Sequence, residues 1–527
     1  MRKKLLAGVM ALALCSTNMP LQTIFAGEFT SGNLEEVSEE TPEIFSDDNQ
    51  EVIEETEEEL SVFSSENVPE FSSEVNIMSA TADETKPIGI DMNDITNLNY
   101  YDSSKGIWKI TSAGSYRFNG TGNNDAPILI DHIDSGTVKV YLNNVNIHSA
   151  DRTPPLRITN TVHADVYIYL ESSNLLQSTY INSAALQIDG TTKLIIDNSP
   201  GTNGSLTANS SKHGTGIGSS GNSDLSPAFH IIIKGGAVTA SSFRSMGIGG
   251  NNSNITIKGG LVKVSSDQWC AIGGTKSNIT IDGGSVKASS RTHFGIKSSS
   301  LTINGGSVTA SSEEEPKEDI SSNQIIINGG SVKASSVSSS PTNDHGEKVY
   351  CCTIENLNSK KVIIDQNLKP WEPNNHQAVN PTDTNLYAWL TGEDHIVNVG
   401  TERRSYIFDS EDSESGTFSN TKRNATSDIF EFKGPRNFIY NGSSQTPSIT
   451  VNDTIKGVVN FTVKYFKEND STTEITEPKD VGTYIVKIDV NGGDFYNASS
   501  GYLTNENWKF DINPGTLTPK ITEHTGT

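Results

Sequence analysis

Cysteine is nearly missing from this 527-residue chain, which holds 4, at positions 15, 270, 351 and 352. With Cys15 inside an N-terminal leader, three remain, two of them adjacent, so the chain has no disulfide framework and no Cys/His spacing suited to zinc. Cations are scarce as well: 39 Lys and Arg stand against 64 Asp and Glu, for a net charge of −25. Without clustered Lys and Arg there is nothing to displace the counterions of a polyanion, so nucleic acid is not an expected partner. Long apolar runs are absent after the leader, and none reaches the ~18 residues that a spanning helix needs. Membrane insertion is not expected either.

Residues 1–26 have the form of a signal peptide: Arg2, Lys3 and Lys4, then LLAGVMALAL, then a cut after Ala26. Lipid attachment at Cys15 is disfavoured by the bulky Leu14 before it. The mature protein is therefore expected to be secreted, extracellular or associated with a cell surface. Residues 27–85 carry many carboxylates and no Lys or Arg. Self-repulsion and too few aliphatic side chains leave such a segment a disordered tether or pro-segment, with an acidic arm for basic partners or calcium as the functional alternative.

What the chain does have is repetition. IIIKGGAVTASS (231–242), ITIKGGLVKVSS (255–266), ITIDGGSVKASS (279–290), LTINGGSVTASS (301–312) and IIINGGSVKASS (325–336) are variants of one phrase. The Gly-Gly pairs begin at Gly235, Gly259, Gly283, Gly305 and Gly329, and Ile248, Ile272, Ile296 and Ile320 recur every 24 residues. A period in the twenties without an LxxLxL frame predicts a parallel β-helix. Each period holds three short strand-like pieces, so each coil is triangular. Alternation points Ile279, Ile281, Val286, Ala288 and Ile296 inward and Thr280 and Lys287 outward. The paired glycines permit a tight corner at positive φ. Ser289, Ser311 and Ser335 are expected to form a hydroxyl ladder at the next corner. Blurred coils continue upstream through VKVYLNNVNIHS, VYIYLESSNLLQS and LIIDNSPGTNGSLTA. CCTIENLNSKKVIID (351–365) reads as the last coil and GIWKITSAGSYRFNGTG (106–122) as the opening cap.

These blocks together, from ITSAGSYRFNG through the iterated ITIxGGxVxAxS, resemble the secreted bacterial carbohydrate-binding domain-containing proteins. The resemblance covers about residues 90–400. It implies a right-handed parallel β-helix of pectate-lyase-like shape and extracellular binding to plant or other acidic polysaccharide. Calcium is often involved in that family, and no catalytic set transfers onto these positions.

Near the C terminus, NFIYNGSSQTPSITV and EPKDVGTYIVKIDV show strand alternation, and Asp480, Gly482 and Tyr484 have the DxGxY spacing of a tyrosine corner. Val486 stands where an antibody domain would carry cysteine. The wording is similar to the MBG-type immunoglobulin-like repeats of bacterial surface adhesins, which usually act as spacers. The expected class is all-β, a right-handed parallel β-helix followed by a small immunoglobulin-like β-sandwich. Its segments are 86–400 for the helix with caps, 401–433 connecting, 434–514 for the sandwich, and 515–527 as a linker or truncated tail with no LPxTG-like signal.

The loops SSFRSMGIGG, SSDQWCAIGG, SSRTHFGIKS and SSEEEPKEDIS vary most. On stacked coils they place Phe243, Arg244, Asp267, Gln268, Trp269, Arg291, His293, Glu313 and Glu314 along one edge. Rings stack on pyranose faces while amides, guanidinium and carboxylate groups meet hydroxyls or a uronate, so this edge is the candidate glycan site. Asp125, Asp131 and Asp134 supply hard oxygens near one coil and are the candidate calcium ligands. No coil carries the clustered carboxylates and base of a polysaccharide lyase or hydrolase, and His213, His293 and Asp282 are isolated. The expected function is non-catalytic glycan binding at a surface, in adhesion or substrate capture, with the bacterial cell wall as a further partner. A lyase or hydrolase on the same fold and a purely structural stalk are the alternatives.

Overall fold

The computed structural model describes residues 86–120, 126–221, 228–314, 317–365, 384–410, 416–516 and 520. The leader, the acidic segment and Asp125 lie outside the described residues. No α-helix occurs among the described residues, and no helix is long and apolar enough to cross a membrane.

From Ile107 to Lys333 the chain winds as a three-faced parallel β-helix. One face is built from short strands such as Ile248–Gly249, the second from strands such as Ser253–Ile257, and the third from strands such as Leu261–Ser266. Register between coils is strict: Ile255 pairs with Ile279, Val262 with Val286, and Ile248 with Ile272. Ile279, Ile281, Val286, Ala288 and Ile296 are buried and Lys287 is exposed, as alternation requires. Each buried aliphatic side chain contributes roughly 1.5–3 kcal/mol, and it is hidden only because another coil lies ~4.8 Å above or below. Stacking is therefore what makes a Ser- and Gly-rich chain fold. At the Gly-Gly corners the second glycine sits at φ between +79° and +84° on all five coils, from Gly236 to Gly330.

The serine column runs through a different residue from the one expected. Ser242, Ser266 and Ser290 are buried, while Ser289 is only half-buried. Val286, Ala288 and Ser290 share one phase of the strand, which turns Ser290 inward.

Both ends of the helix differ from the expected caps. The first parallel strand is Ile88–Asp91, lying on Gly114–Asn119, and Tyr101–Asp102 pairs antiparallel with Ile107–Ile110. Tyr101 packs against the fully buried Trp108 at 4.9 Å between centroids. Residues 107–119 of that expected cap are thus inside the helix, and the covering segment lies before them. Residues 351–365 are not a last coil. Val349–Ile354 pairs antiparallel with Leu386–Thr391, and Val362–Ile364 joins His395–Val399, Glu402–Asp409 and Thr417–Ser419 in a second antiparallel sheet. These strands enclose their own core of Cys352, Ile354, Leu357, Val362, Leu386, Ala388, Val397, Val399 and Tyr406. The unit closes the open end of the helix through two bonds: Trp389 Nε1 donates to the carbonyl of Val332 at 3.0 Å, and the Tyr387 amide donates to Ser331 Oγ at 3.1 Å.

The C-terminal sandwich has a five-stranded sheet in the order Asn437–Ile439, Leu503–Asn513, Gly482–Gly493, Val459–Lys467 and Asp470–Ile475. A two-stranded sheet of Phe430–Lys433 and Ser448–Val451 packs against it. The Tyr484 hydroxyl donates to the carbonyl of Asp480 at 2.6 Å, which is the tyrosine corner that the spacing predicts. The core reaches back to Ala425, Ile429 and Phe430, so the module begins before residue 434. Arg403 holds Asp494 in a two-pronged pair at 2.8 and 2.9 Å, and Arg423 holds Asp394, fastening the sandwich to the unit before it.

Candidate functional site: a ridge of stacked corner loops

The corner loops that follow the third face stack directly. The amide of Asp267 donates to Ser242 O, Gln268 to Phe243 O, Arg291 to Ser266 O and Glu313 to Ser290 O, each at 3.0–3.1 Å. The residues expected along one edge are brought to one edge. Phe243 is 42% exposed, and the Arg244 guanidinium lies 5.6 Å from its centroid. Trp269 is half-buried: the His293 ring covers it at 4.9 Å and its indole nitrogen is buried without a partner. The open ring of this group is therefore Phe243.

Arg291 Nη2 meets Asp267 Oδ2 at 2.9 Å with a second, closer contact through Nε. The hydrogen bond from Arg291 holds the Asp267 carboxyl below its ordinary range. His293 is pushed the other way from a charged state: burial lowers its pKa, and Lys317 and Lys297 add to the effect. At neutral pH its ring is an uncharged cover for Trp269. Glu313 and Glu314 are exposed at the far end.

The ridge extends upstream of the residues that the sequence singled out. Above Phe243 and Arg244 lie Lys212 and His213, then Tyr180 and Ile181, then Arg152. The Arg244 amide donates to Lys212 O at 3.0 Å, Arg244 Nη1 is 3.4 Å from His213 Nε2, and Arg152 Nε donates to the Tyr180 hydroxyl at 3.1 Å. The blurred upstream coils carry longer loops and no Gly-Gly pair to align them by, so their place on the same corner was hidden.

A second aromatic group lies on the flat second face. Tyr141 and Tyr169 stack at 4.9 Å, Tyr167 lies nearly parallel to Tyr169, and the Arg117 guanidinium sits 5.5 Å from the Tyr141 centroid while bonding Glu171 at 2.9 Å. The two faces of Tyr141 are occupied by Tyr169 and Arg117, so this column staples adjacent coils.

The calcium expectation fares differently. Asp131 is buried, and its carboxylate accepts from Thr159 Oγ1 at 2.8 Å and Thr161 Oγ1 at 2.9 Å, with His132 and Lys109 at 2.7 and 3.3 Å. Burial opposes ionisation, but these donors outweigh it and hold the group far below the usual carboxylate range. Oxygens already met by hydroxyls and cations do not suit a divalent metal, and Asp134 is exposed. Among the described residues no group of three or more His, Cys, Asp or Glu is placed to hold a metal. Burial pushes the free thiols of Cys270 and Cys352 up to about 12, far from nucleophilic.

Residues 104–186 match the family model of a carbohydrate-binding domain-containing protein. The match opens at the hairpin that starts the helix and runs through the coils bearing Arg152, Tyr180 and Ile181, the first members of the ridge. No curated protein and no solved structure matches the chain.

Proposed function

We propose that this protein is an extracellular, non-catalytic polysaccharide-binding protein that holds a glycan chain along the corner ridge. One coincidence carries the reading: the ridge is a continuous strip of ring, amide, guanidinium and carboxylate groups, and it begins on the coils that match the carbohydrate-binding family. A strip parallel to the helix axis suits a polymer better than a single small sugar, because each coil adds one more set of contacts to the same ligand. The sandwich, similar to the MBG-type modules of surface adhesins, serves as a spacer in adhesion or substrate capture. Calcium has no part in this reading, since Asp131 is already satisfied by donors.

Retention of the full chain on immobilised polygalacturonate, cellulose and mucin glycans tests it, with and without calcium. Phe243→Ala should weaken retention by more than about tenfold, as loss of an exposed aromatic anchor does, with an unchanged melting curve. Release of shortened or unsaturated oligosaccharides would replace the reading with a hydrolase or a lyase, and failure to bind any glycan would leave a structural stalk.

A further inference from the structure

The joint between the closing unit and the C-terminal sandwich is built unlike the coils. Each side encloses its own apolar core, and no residue belongs to both. The chain passes from the Thr417–Ser419 strand of one to the Arg423–Asn424 strand of the other through residues 420–422, which are exposed. Between the two sides lies a gap of about 270 Å³, with Ile396 and Arg403 on one wall and Lys456 and Phe495 on the other.

What spans that gap is charge. Arg403 forks onto Asp494 at 2.8 and 2.9 Å, Arg423 Nη2 meets Asp394 Oδ1 at 2.9 Å with a closer contact through Nη1, and Lys456 meets Glu393. Both sides supply cations and anions, so the pairs fix the rotation of the sandwich as well as hold it. Each aspartate is aimed by its own side: Asp494 accepts the Val458 amide at 2.8 Å and Asp394 the Phe408 amide at 3.1 Å. The Arg403 side chain is 43% exposed and that of Arg423 40%. Dissolved ions screen such pairs, whereas the two apolar cores do not depend on them. A short exposed connection beside screened pairs has the make-up of a hinge.

We infer that this joint is a salt-released hinge: residues 420–422 are the pivot, and the Arg403–Asp494, Arg423–Asp394 and Lys456–Glu393 pairs are the clasp. At low ionic strength the sandwich is a stiff continuation of the closing unit. At high ionic strength it swings while both cores stay folded. The inference is independent of the glycan reading, since it concerns only how the sandwich is carried.

Carbodiimide joins an amine to a carboxylate where the two touch, so coupling of Lys456 to Glu393 in the full chain reports the closed joint. Coupling of Lys464 to Glu474, 2.9 Å apart on paired strands within the sandwich, is the reference. Both are read by mass spectrometry at about 0.1 M and about 1 M sodium chloride, over which the screening length falls from ~10 Å to ~3 Å. The Lys456–Glu393 yield relative to the reference should fall by about threefold or more at high salt, with the sandwich still folded by circular dichroism. Arg403→Gln with Arg423→Gln should bring that yield down at low salt already and remove the salt response. If the double variant does not fold, Asp494→Asn, which keeps an acceptor for the Val458 amide, should lower the yield in the same direction. Equal loss at both pairs overturns the hinge, because screening alone then accounts for it. A relative yield that neither salt nor these substitutions change overturns it too, since packing then holds the sandwich. A fall accompanied by melting of the sandwich overturns it as unfolding rather than swinging.

Discussion

Ser290 Oγ donates to the carbonyl of Trp269 on the preceding coil at 2.6 Å, and the same oxygen accepts from the amide of His293 at 3.0 Å. Ser266 repeats the arrangement with Ser245 O and the Trp269 amide, and Ser242 with Gly214 O and the Ser245 amide. One buried hydroxyl per coil thus fixes where each ridge loop starts and ties it to the loop before. Ser290→Ala removes both bonds and leaves the half-buried Trp269 carbonyl and the His293 amide without that partner, at a cost of about 1–3 kcal/mol. Urea denaturation should show that loss, and hydrogen exchange should quicken at residues 291–295 before it does in the strands.

The corner glycines allow backbone strain and packing to be measured separately. Gly260 has φ +82°, and a Cβ there would meet Gly236 O at 2.5 Å. Gly201 has φ +77° with nothing within 4 Å. Gly201→Ala should therefore cost only the roughly 1–2 kcal/mol of a left-handed alanine. Gly260→Ala should cost more, because it also pushes apart two coils at a carbonyl that cannot move aside. Equal melting temperatures for the two variants would show that the corners are not close-packed.

Ile272 is fully buried between Ile248 and Ile296, which pair with it on either side. Ile272→Val should cost roughly 0.5–1.5 kcal/mol. Ile272→Asp places an unpaired carboxylate in the column and should abolish the cooperative transition seen by circular dichroism. An unchanged melting curve for the aspartate variant would contradict the inward assignment of this face.

His395 in the closing unit is buried, with Nδ1 against Asp365 and Nε2 3.0 Å from the carbonyl of Thr391. Burial opposes its protonation, but the bonds to Asp365 and Thr391 prevail and its pKa is raised. The Asp365 carboxyl is lowered: burial works against ionisation, and the hydrogen bonds from His395 and the Ile396 amide overcome it. The stabilising effect of the charged His395 is complete below the unfolded value of ~6.5 and is lost as pH rises through the higher folded value. That of Asp365 is present above ~3.9 and is lost as pH falls through the lowered folded value. Thermal stability of the wild type should accordingly decline as pH rises above ~6.5, and His395→Gln should flatten that decline. A decline of the same steepness in the variant would assign the pH dependence elsewhere.

The coils were legible because three independent signals coincide in each: the Gly-Gly pair, the single isoleucine and the alternation between them. Where only one signal is present the reading slips. CCTIENLNSKKVIID alternates like a coil but has no glycine pair, and its strands turn back in antiparallel fashion on Leu386–Thr391 and His395–Val399. The tandem serines offered two phases, and Val286 and Ala288 were the evidence that the second one is inside. On the ridge, the sequence supplied the lower half, from Phe243 to Glu314, because those loops sit at fixed distances from the glycines. Arg152, Tyr180 and Lys212 needed the hydrogen-bond register, since loop length varies between the earlier coils. That the Phe243 ring is open while Trp269 is covered by His293 depends on side-chain contacts between coils, which no single-coil pattern expresses.

Because Gly235, Gly259 and Gly283 are equally spaced and the strands of these coils pair residue for residue at matching positions, the middle of the molecule behaves like a modular shelf. Copying or excising 24 residues between two Gly-Gly pairs would leave both junctions with the neighbours they already have. Gene duplication could therefore lengthen the exposed strip one step at a time, without redesigning either end.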